Sequence, residues 1–557
     1  MRSAPSPDII AKRPGVAAPW PVAVCAGLIL GVVGGCGDEA LSMFKTEKKP
    51  PPERAPEPTI RDEQKFADTI GSYAYYANDT GLSLQGFGLV YGLGSDGSSD
   101  CPTRVREYLT DFLGKELAPA GGVARNSRID TDKLIDSSDT AVVRITAVSP
   151  PGATKGTVFD VRVEALPGTQ TRSLEGGILL PCELKVYTAA MSTQGVVESR
   201  TLARAEGPLF TNPFTAKGDE DTPITRATGL GCARTLYDRI TRLALYQPSY
   251  AQSQSIERRL NERFGQRPRT ATAQSAGYLE VLTPREFAAR PDRFLELALR
   301  LYVRNAPAFY HGRIQDMLNG PPSARDWEEL SLIIEGIGRT GVQYVQPFYS
   351  DPDPAIRFFA ARTGLRLRDP SALEVMTAIA ADNHHPNRID AIVELGESGY
   401  TQAAERLRDL VNGADQDARI AAYKALLAAR NPAVKTLAFR APINPRYLGF
   451  QLDVVESTGE PMIYVRTSRE PRIAVFGPNT TIRGPVFLSL RDDWINIASD
   501  PSGELTIFSR TRVNRRLSDP IHVPPRVTSL IRAMGALPTG SGPEPRGLGL
   551  PYSLIVQ

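Results

Sequence analysis

The sequence predicts an α+β protein of several domains: a β-rich region, a block of helical repeats and a small antiparallel β domain. Apolar and polar residues alternate along several segments between 82 and 191, and this period of two is typical of strands. After residue 350, three equivalent segments recur 31 residues apart. Beyond residue 445, short alternating segments are separated by Gly, Pro and Asp turns, as in a small antiparallel sheet.

The composition is that of a folded chain and excludes several function classes. Apolar residues make up 41% and charged residues 23% of the 557 residues, which excludes collagen-like, coiled-coil and wholly disordered proteins. The net charge of +3 disfavours a nucleic-acid binder that works by counterion release. All four histidines lie beyond residue 310, so the first 310 residues supply no Ser-His-Asp or Cys-His pair.

The N-terminus has the plan of an export signal. Basic residues precede an uncharged apolar run at 22–33, which ends in Gly34, Gly35 and Cys36. The run is shorter than the ~20 residues that a membrane-spanning helix needs. Small residues before a cysteine are similar to a bacterial lipobox, so we predict a lipoprotein signal peptide over 1–36 with Cys36 lipidated. An ordinary cleaved signal with an incidental cysteine is the alternative, and Gly37 suggests the outer membrane by analogy with lipoprotein sorting.

Two further features fit an exported chain. Residues 37–60 carry five prolines and no apolar periodicity, which predicts a stiff tether of about 3 Å per residue. Cys101, Cys182 and Cys232 follow it, an odd number for an oxidising compartment. One disulfide plus one free thiol is plausible, and the spacing does not say which pair forms.

A glycine-rich turn at the end of the first strand has a misleading pattern. Gly92, Gly94 and Gly97 form a G-x-G-x-x-G between a strand and a helix, a formal match to a dinucleotide fingerprint. That fingerprint needs an acidic residue closing a second strand about 20 positions on, where this sequence has a helix end and a turn. We therefore predict no cofactor. His384 and His385 lack the spacing of a metal site, so we predict no metal either.

Two motifs in the β-rich region, in this order along the chain, resemble the bacterial flagellar P-ring protein family. A Pro-Pro turn at 150–151 and a strand at 159–163 lie between the motifs, as in that family. The likeness covers about residues 60–305, and we predict a region of this type over 61–310. The residues that carry the motifs are Gly86, Gly88, Gly92, Gly94 and Gly97 in the first, and Ser173, Leu174, Gly176 and Gly177 in the second.

The resemblance implies a structural subunit without catalytic residues. Such a subunit self-associates into a ring around the flagellar rod, in the periplasm near peptidoglycan and beside the L ring. Ring closure requires a heterologous interface, and the motif glycines would let the backbones of neighbouring subunits approach closely. Arg172 and Lys185 lie beside the motifs and are predicted contacts to an acidic rod surface, with solvated charge as the alternative.

The rest of the chain adds parts without a counterpart in that family. Arg357, Arg388 and Arg419 mark a block at 321–440 that resembles HEAT repeats, and we predict that these arginines brace adjacent repeats. The small antiparallel β domain is predicted over 446–537. A turn-rich segment over 538–557 is predicted to be a mobile tail.

Two other functions stay open at this point. The chain could be a lipid-anchored envelope adaptor that binds partner proteins through its repeats and is unrelated to motility. An envelope hydrolase would need paired carboxylates in a cleft. The run Asp219-Glu220-Asp221 offers such a pair, although a charge run of this kind is more typical of a solvated loop.

Overall fold

The structure is a computed structural model that describes residues 67–116, 130–186, 200–213, 224–319, 324–490, 495–509, 519–538 and 547–557. All of these fall within one compact unit, Asp62–Gln557. The predicted signal peptide with Cys36, the tether at 37–60 and the run Asp219-Glu220-Asp221 lie outside the described residues.

The described chain up to residue 304 contains ten strands and five α-helices. The period of two at 140–148 and 157–164 correctly predicted two of the strands. In chain order the elements are α1 (Ile70–Tyr73), β1 (Ala74–Tyr76), β2 (Leu82–Tyr91), α2 (Thr103–Glu116), α3 (Thr131–Ile135), β3 (Thr140–Ser149), β4 (Val158–Ala165), β5 (Ile178–Val186), β6 (Ala203–Pro208), β7 (Arg226–Thr235), β8 (Thr241–Leu245), α4 (Tyr250–Phe264), β9 (Ala271–Ala273), β10 (Tyr278–Val281) and α5 (Pro291–Leu299).

Six of these strands close into an antiparallel barrel with the neighbour order β2-β3-β4-β7-β6-β5. A barrel of so few strands is narrow, and side chains fill its interior. The branched residues Val143 and Ile145 point inward from β3. Strand β6 lies three places away, on the opposite wall, and its inward positions are Ala203 and Ala205. Large side chains on one wall therefore meet small ones on the other.

A second antiparallel sheet, with the order β1-β8-β10-β9, packs against helices α4 and α5. Helix α4 begins after Ser249, whose hydroxyl accepts a hydrogen bond from the Gln252 N–H at 3.3 Å. Its apolar face places Ile256 and Leu260 against the sheet, and Phe294 of α5 completes the same core. The barrel and this sheet together make up the β-rich region that the sequence predicted.

Eight α-helices follow, and six of them stack in two layers. Successive contacts join α7 to α9, α9 to α11 and α11 to α13 in one layer, and α10 contacts α12 in the other. The Asp353 carboxylate accepts hydrogen bonds from the first N–H groups of α9, and the Asp415 carboxylate does the same for α13. The two helices therefore begin with the same type of N-terminal cap. The helices are α6 (Pro307–Asn319), α7 (Ala324–Ile337), α8 (Val342–Val345), α9 (Pro354–Arg366), α10 (Ser371–Ala381), α11 (Arg388–Ser398), α12 (Thr401–Val411) and α13 (Gln416–Ala428).

This arrangement is the helical block that the 31-residue spacing predicted. Its assignment to the HEAT class stays a prediction. The block is shorter than expected, because residues 434–440 form a strand of the next sheet rather than the end of a helical repeat. None of the helices within the described ranges is long and apolar enough to cross a membrane.

The last part of the described chain contains two four-stranded sheets and two helices. The elements are β11 (Val434–Arg440), β12 (Leu448–Val455), β13 (Met462–Arg466), β14 (Arg472–Phe476), β15 (Phe487–Leu490), β16 (Ile495–Ser499), β17 (Leu505–Ser509), β18 (Ile521–Val523), α14 (Val527–Gly535) and α15 (Tyr552–Val556). The expected single antiparallel domain over 446–537 is wrong in two respects: it begins at Val434, and one of its sheets is mixed.

The mixed sheet has the order β11-β12-β14-β13, with β12 and β14 parallel. Strand β14 is buried from Ile473 to Phe476, whereas Ile463 of β13 is half exposed. The more buried strand, β14, therefore lies in the interior of the sheet beside β12, and β13 lies at the edge. In this order β14 pairs with β12 in parallel. Strands β15 to β18 form the second sheet, which is antiparallel throughout.

The predicted mobile tail is also corrected for residues 547–557. Tyr552 is only 5% exposed and packs against Phe210 and Phe450. Its hydroxyl oxygen lies 2.8 Å from the carbonyl oxygens of both Arg466 and Arg472, which share its one proton. A turn-rich composition predicted mobility, but one buried aromatic residue anchors this segment.

The disulfide that the sequence left open is not formed, because Cys101, Cys182 and Cys232 are all free thiols. Cys182 lies inside the barrel and donates to the carbonyl oxygen of Ala205 at 3.3 Å. Burial raises the pKa of Cys182 to about 12, so this thiol stays protonated and unreactive at neutral pH.

Candidate functional site

The first motif lies where strands β2 and β5 meet to close the barrel. A Cβ built on Gly86 would overlap the carbonyl oxygen of Glu183 and lie 3.2 Å from its carbonyl carbon. A Cβ on Gly88 would lie 3.0 Å from Ile145 Cδ1 and 3.2 Å from Cys182 Cβ. These glycines therefore permit close approach within the chain, whereas the sequence suggested an approach between neighbouring subunits.

The end of the first motif forms a loop around a carboxylate. Gly92 and Gly94 have positive φ angles of 83° and 65°, a conformation that favours glycine. Their N–H groups donate to the two carboxylate oxygens of Asp139, at 3.3 Å and 2.6 Å. Gly97 continues the loop and donates to the carbonyl oxygen of Ser138 at 3.1 Å. The three amides of this glycine pattern are thus bonded within the chain, two to Asp139 and one to Ser138.

The structure brings the two motifs together. The N–H groups of Arg172 and Ser173 donate to the carbonyl oxygen of Asp96, in the first motif, at 2.7 Å and 3.2 Å. Leu174 is fully buried, and the Gly177 N–H donates back to its carbonyl oxygen at 3.3 Å in a tight turn that contains Gly176. The two motifs therefore form one packed corner of the barrel.

The two basic residues predicted to face the rod are not brought together. Arg172 is exposed at the corner that precedes β5. Lys185 lies seven residues after the first residue of β5, about 23 Å along an extended strand. Its ammonium group is 3.3 Å from the carboxylate of Glu183 and 6.0 Å from the ring centre of Tyr108. Lys185 thus has an acidic partner in its own chain, whereas Arg172 projects into solvent.

The three repeat arginines sit at the starts of α9, α11 and α13. Arg388 Nε donates to the carbonyl oxygen of Ala380 at 3.0 Å, and Arg419 Nε donates to that of Val411 at 2.8 Å. Each of these two thus bonds the last turn of the preceding helix. Arg388 also forms an ion pair with Asp415, the cap of the next repeat. Arg357 differs, because it bonds the carbonyl oxygen of Asp351 in its own preceding turn, at 2.6 Å.

Sequence reasoning missed a buried network of charges between the β-rich region and the helical block. Arg366 Nη1 lies 3.1 Å from Glu335 Oε2, and its Nε donates to Glu394 at 2.9 Å. Arg293 of α5 pairs with the second oxygen of Glu335. Burial alone would raise the pKa of Glu335, but Arg366 and Arg293 hold it below its usual value. The signal in the sequence was the 31-residue interval between Glu335 and Arg366, which matches the repeat period.

The C-terminal sheets dock onto the barrel through polar contacts around an apolar centre. The Tyr447 hydroxyl donates to Glu206 of β6 at 2.8 Å, and burial together with this carboxylate raises the pKa of the tyrosine. Asp160 accepts hydrogen bonds from the N–H groups of Gly231, at 2.7 Å, and Arg469, at 2.8 Å. These contacts hold the C-terminal loops against strands β6 and β4.

Among the residues that the structure describes, no group of three or more His, Cys, Asp and Glu side chains is placed to hold a metal ion. His384 is exposed, whereas His385 is buried in the turn before α11, so these neighbours do not face a common point.

Comparison with known proteins assigns the β-rich region. Residues 72–308 match the family model of the flagellar P-ring protein. A flagellar P-ring protein 1 of Yersinia pestis is 27% identical over 239 residues, which is 40% of this chain and 58% of the relative. A flagellar P-ring protein of Geobacter metallireducens is 29% identical over 233 residues, 40% of this chain and 57% of that relative.

A flagellar P-ring protein of Helicobacter pylori is 23% identical over 252 residues, which is 44% of this chain and 64% of the relative. The chain thus spans a little over half the length of these relatives, and the matched segment contains the barrel, the second sheet and both motifs. The resemblance that the order of the motifs predicted is confirmed for residues 72–308, which match the flagellar P-ring protein family.

Proposed function

We propose that this chain is a structural subunit of a flagellar P ring, which self-assembles around the rod as a bushing without catalytic activity. The observation that carries the proposal is the family match over residues 72–308. In support, the two family motifs pack into one corner of a closed barrel, as expected for residues that maintain a shared scaffold.

The end of the outer face of β3 at Val148, beyond the part that α2 and α3 cover, is the surface that we assign to the neighbouring subunit. The C-terminal sheets cover the wall around β6, and β3 lies three places away in the six-stranded barrel, on the opposite wall. Val148 of β3 is 59% exposed there, and Ile240 is 43% exposed. Arg239, next to Ile240, donates hydrogen bonds to the carbonyl oxygens of Ser149, next to Val148, and of Thr80. These bonds hold the two exposed residues on one rigid part of the surface. Two exposed branched side chains on a braced surface suit a ring contact with a different patch on the next subunit.

The proposal includes a place in the cell and a set of partners. The ring lies in the periplasm near peptidoglycan, with rod and L-ring proteins as partners. The lipid on Cys36 tethers each subunit to the outer membrane through the segment 37–60. Arg172, which is exposed and forms no ion pair with the described acidic side chains, is the better rod-contact candidate of the two basic residues. The arginines of the repeats brace the helical block, which forms an added collar.

Electron microscopy of detergent-extracted envelope complexes, purified through a C-terminal tag, tests this function. We expect rings threaded by a rod, with rod proteins in the same fraction. Charge reversal of Arg172 should reduce swimming and leave ring assembly intact, and the same reversal of Lys185 is the matched comparison. Monomers associated with unrelated envelope proteins would contradict the ring and leave the adaptor function as the explanation.

A further inference from the structure

A cleft of about 590 Å³ lies between the barrel and the C-terminal sheets, and the proposed ring does not account for it. Its floor is apolar, with Phe210, Leu230 and Tyr552 each less than 10% exposed. Its charged lining consists of five arginines and two glutamates, which leaves three positive charges in excess. The arginines are Arg204, Arg234, Arg440, Arg446 and Arg469, and the glutamates are Glu206 and Glu470.

The negative charges of this cleft are already engaged. Glu206 accepts a hydrogen bond from Tyr447, and Glu470 pairs with Arg472 at 2.9 Å. Of the five arginines, Arg204 has a carboxylate partner, Glu116, at 2.6 Å. The other four form no ion pair with any acidic side chain in the described ranges, and Arg234 bonds instead to the carbonyl oxygen of Gly156. The guanidinium groups of Arg440, Arg446 and Arg469 are thus available at the rim of one cleft.

The backbone fixes one of these arginines in an uncommon conformation. Arg469 has a φ angle of 60°, which residues other than glycine rarely adopt. Asp160 holds it there by accepting its N–H, and a Cβ on Gly231 would collide with its carbonyl oxygen. Strand β4, which carries Asp160, and strand β7, which carries Gly231, therefore both fix the position of Arg469. Non-glycine residues kept in this region of φ cluster at sites of function.

We propose that this cleft binds a compact oxyanion of the phosphate or carboxylate class. Guanidinium groups match such groups with two parallel hydrogen bonds each, and the volume suits a small ligand rather than a protein segment. A free anion and a phospholipid headgroup present the same chemistry. This binding is independent of the ring, because the cleft lies on the wall that the C-terminal sheets cover.

Titration calorimetry of the full chain with pyrophosphate tests the site. We expect saturable binding that weakens at least tenfold in the double variant Arg446→Ala, Arg469→Gly, since the glycine keeps the left-handed backbone while removing the guanidinium group. The control is Arg104→Ala on α2, an exposed arginine far from the cleft in sequence, which should bind as the parent does. If the double variant fails to fold, Arg446→Gln at an exposed position carries the same test.

Flotation with phosphatidylglycerol vesicles, compared with phosphatidylcholine vesicles, distinguishes the source of the anion. Binding that needs the vesicles and the cleft arginines assigns a lipid headgroup, whereas binding of pyrophosphate alone assigns a free anion. The proposal is overturned if neither probe binds saturably. It is equally overturned if the double variant keeps its affinity within twofold, or if Arg104→Ala loses as much affinity as the double variant.

Discussion

Gly86→Ala is the sharpest test of how the first motif works. The added Cβ would overlap a backbone oxygen, that of Glu183, in a strand that cannot move without opening the barrel. Overpacking of this kind costs about 1–3 kcal/mol, and a backbone neighbour in a closed sheet places the cost near the upper end. Removing a glycine from a strand returns about 0.5–1 kcal/mol. The expected net loss of stability is about 2 kcal/mol.

Gly114→Ala is the matched control, because the same atoms are added where the structure leaves open space. Gly114 lies exposed in helix α2, and a Cβ there has no neighbour within 4 Å. Alanine should therefore stabilise the chain by up to about 1 kcal/mol through helix propensity. The two substitutions are expected to have opposite signs.

Scanning calorimetry measures both variants in the purified chain. About 1 kcal/mol shifts the melting temperature of a region of 150–250 residues by about 2–4 °C. The transition of the barrel should thus fall by about 4–8 °C for Gly86→Ala and rise by about 2–4 °C for Gly114→Ala. A Gly86→Ala chain that melts like the parent but no longer forms rings would refute this reasoning, since the glycine would then serve a contact between subunits.

Three further predictions follow from the described contacts. Glu335→Gln leaves Arg366 and Arg293 buried with fewer charge partners, and should cost about 3–5 kcal/mol in thermal melts at pH 7. Folding lowers the pKa of Glu335, because Arg366 and Arg293 stabilise its charged form. Its contribution to stability is therefore present while the carboxylate is ionised and is lost as the pH falls through the lowered pKa, so the melting temperatures of the parent and the variant should converge at low pH. Val148→Asp should leave the melting temperature of the subunit unchanged and abolish rings in electron micrographs, and intact rings would exclude β3 from the interface. Tyr552→Phe removes the hydrogen bond that the hydroxyl shares between two carbonyl oxygens and should lower stability by about 1–2 kcal/mol in urea unfolding, whereas an unchanged midpoint would mean that this hydrogen bond adds no stability.

The sequence allowed prediction of those parts of the fold that depend on local periodicity. Strands β3 and β4 alternate in a period of two, and the repeat arginines marked α9, α11 and α13. The pairing of strands depends on contacts between distant segments, which periodicity does not contain. The parallel pair β12 and β14 was missed for this reason, since both strands read as members of a simple antiparallel sheet.

The sequence identified the motif residues of the candidate site, but it did not show what these residues do. The motif glycines were identified by their order along the chain, but their function in closing the barrel depends on Glu183 and Asp139, which lie far away in sequence. The cleft arginines were not found at all, because they come from segments about 200 residues apart that meet only in the folded chain. Their individual positions carry no common pattern.

The buried charge network bears on what the helical block can do in a ring. Arg293 belongs to the P-ring-like region, and the charges of Glu335, Arg366 and Glu394 carry the contact across α7, α9 and α11. Two more pairs reinforce this junction: Arg290 with Glu397 at 2.7 Å, and Arg300 with Glu329 at 2.9 Å. Removing one partner from a buried pair is costly, so the two parts resist separation. A helical block fixed in this way would take the same orientation on every subunit, and a ring of subunits would then display a continuous collar instead of independent arms.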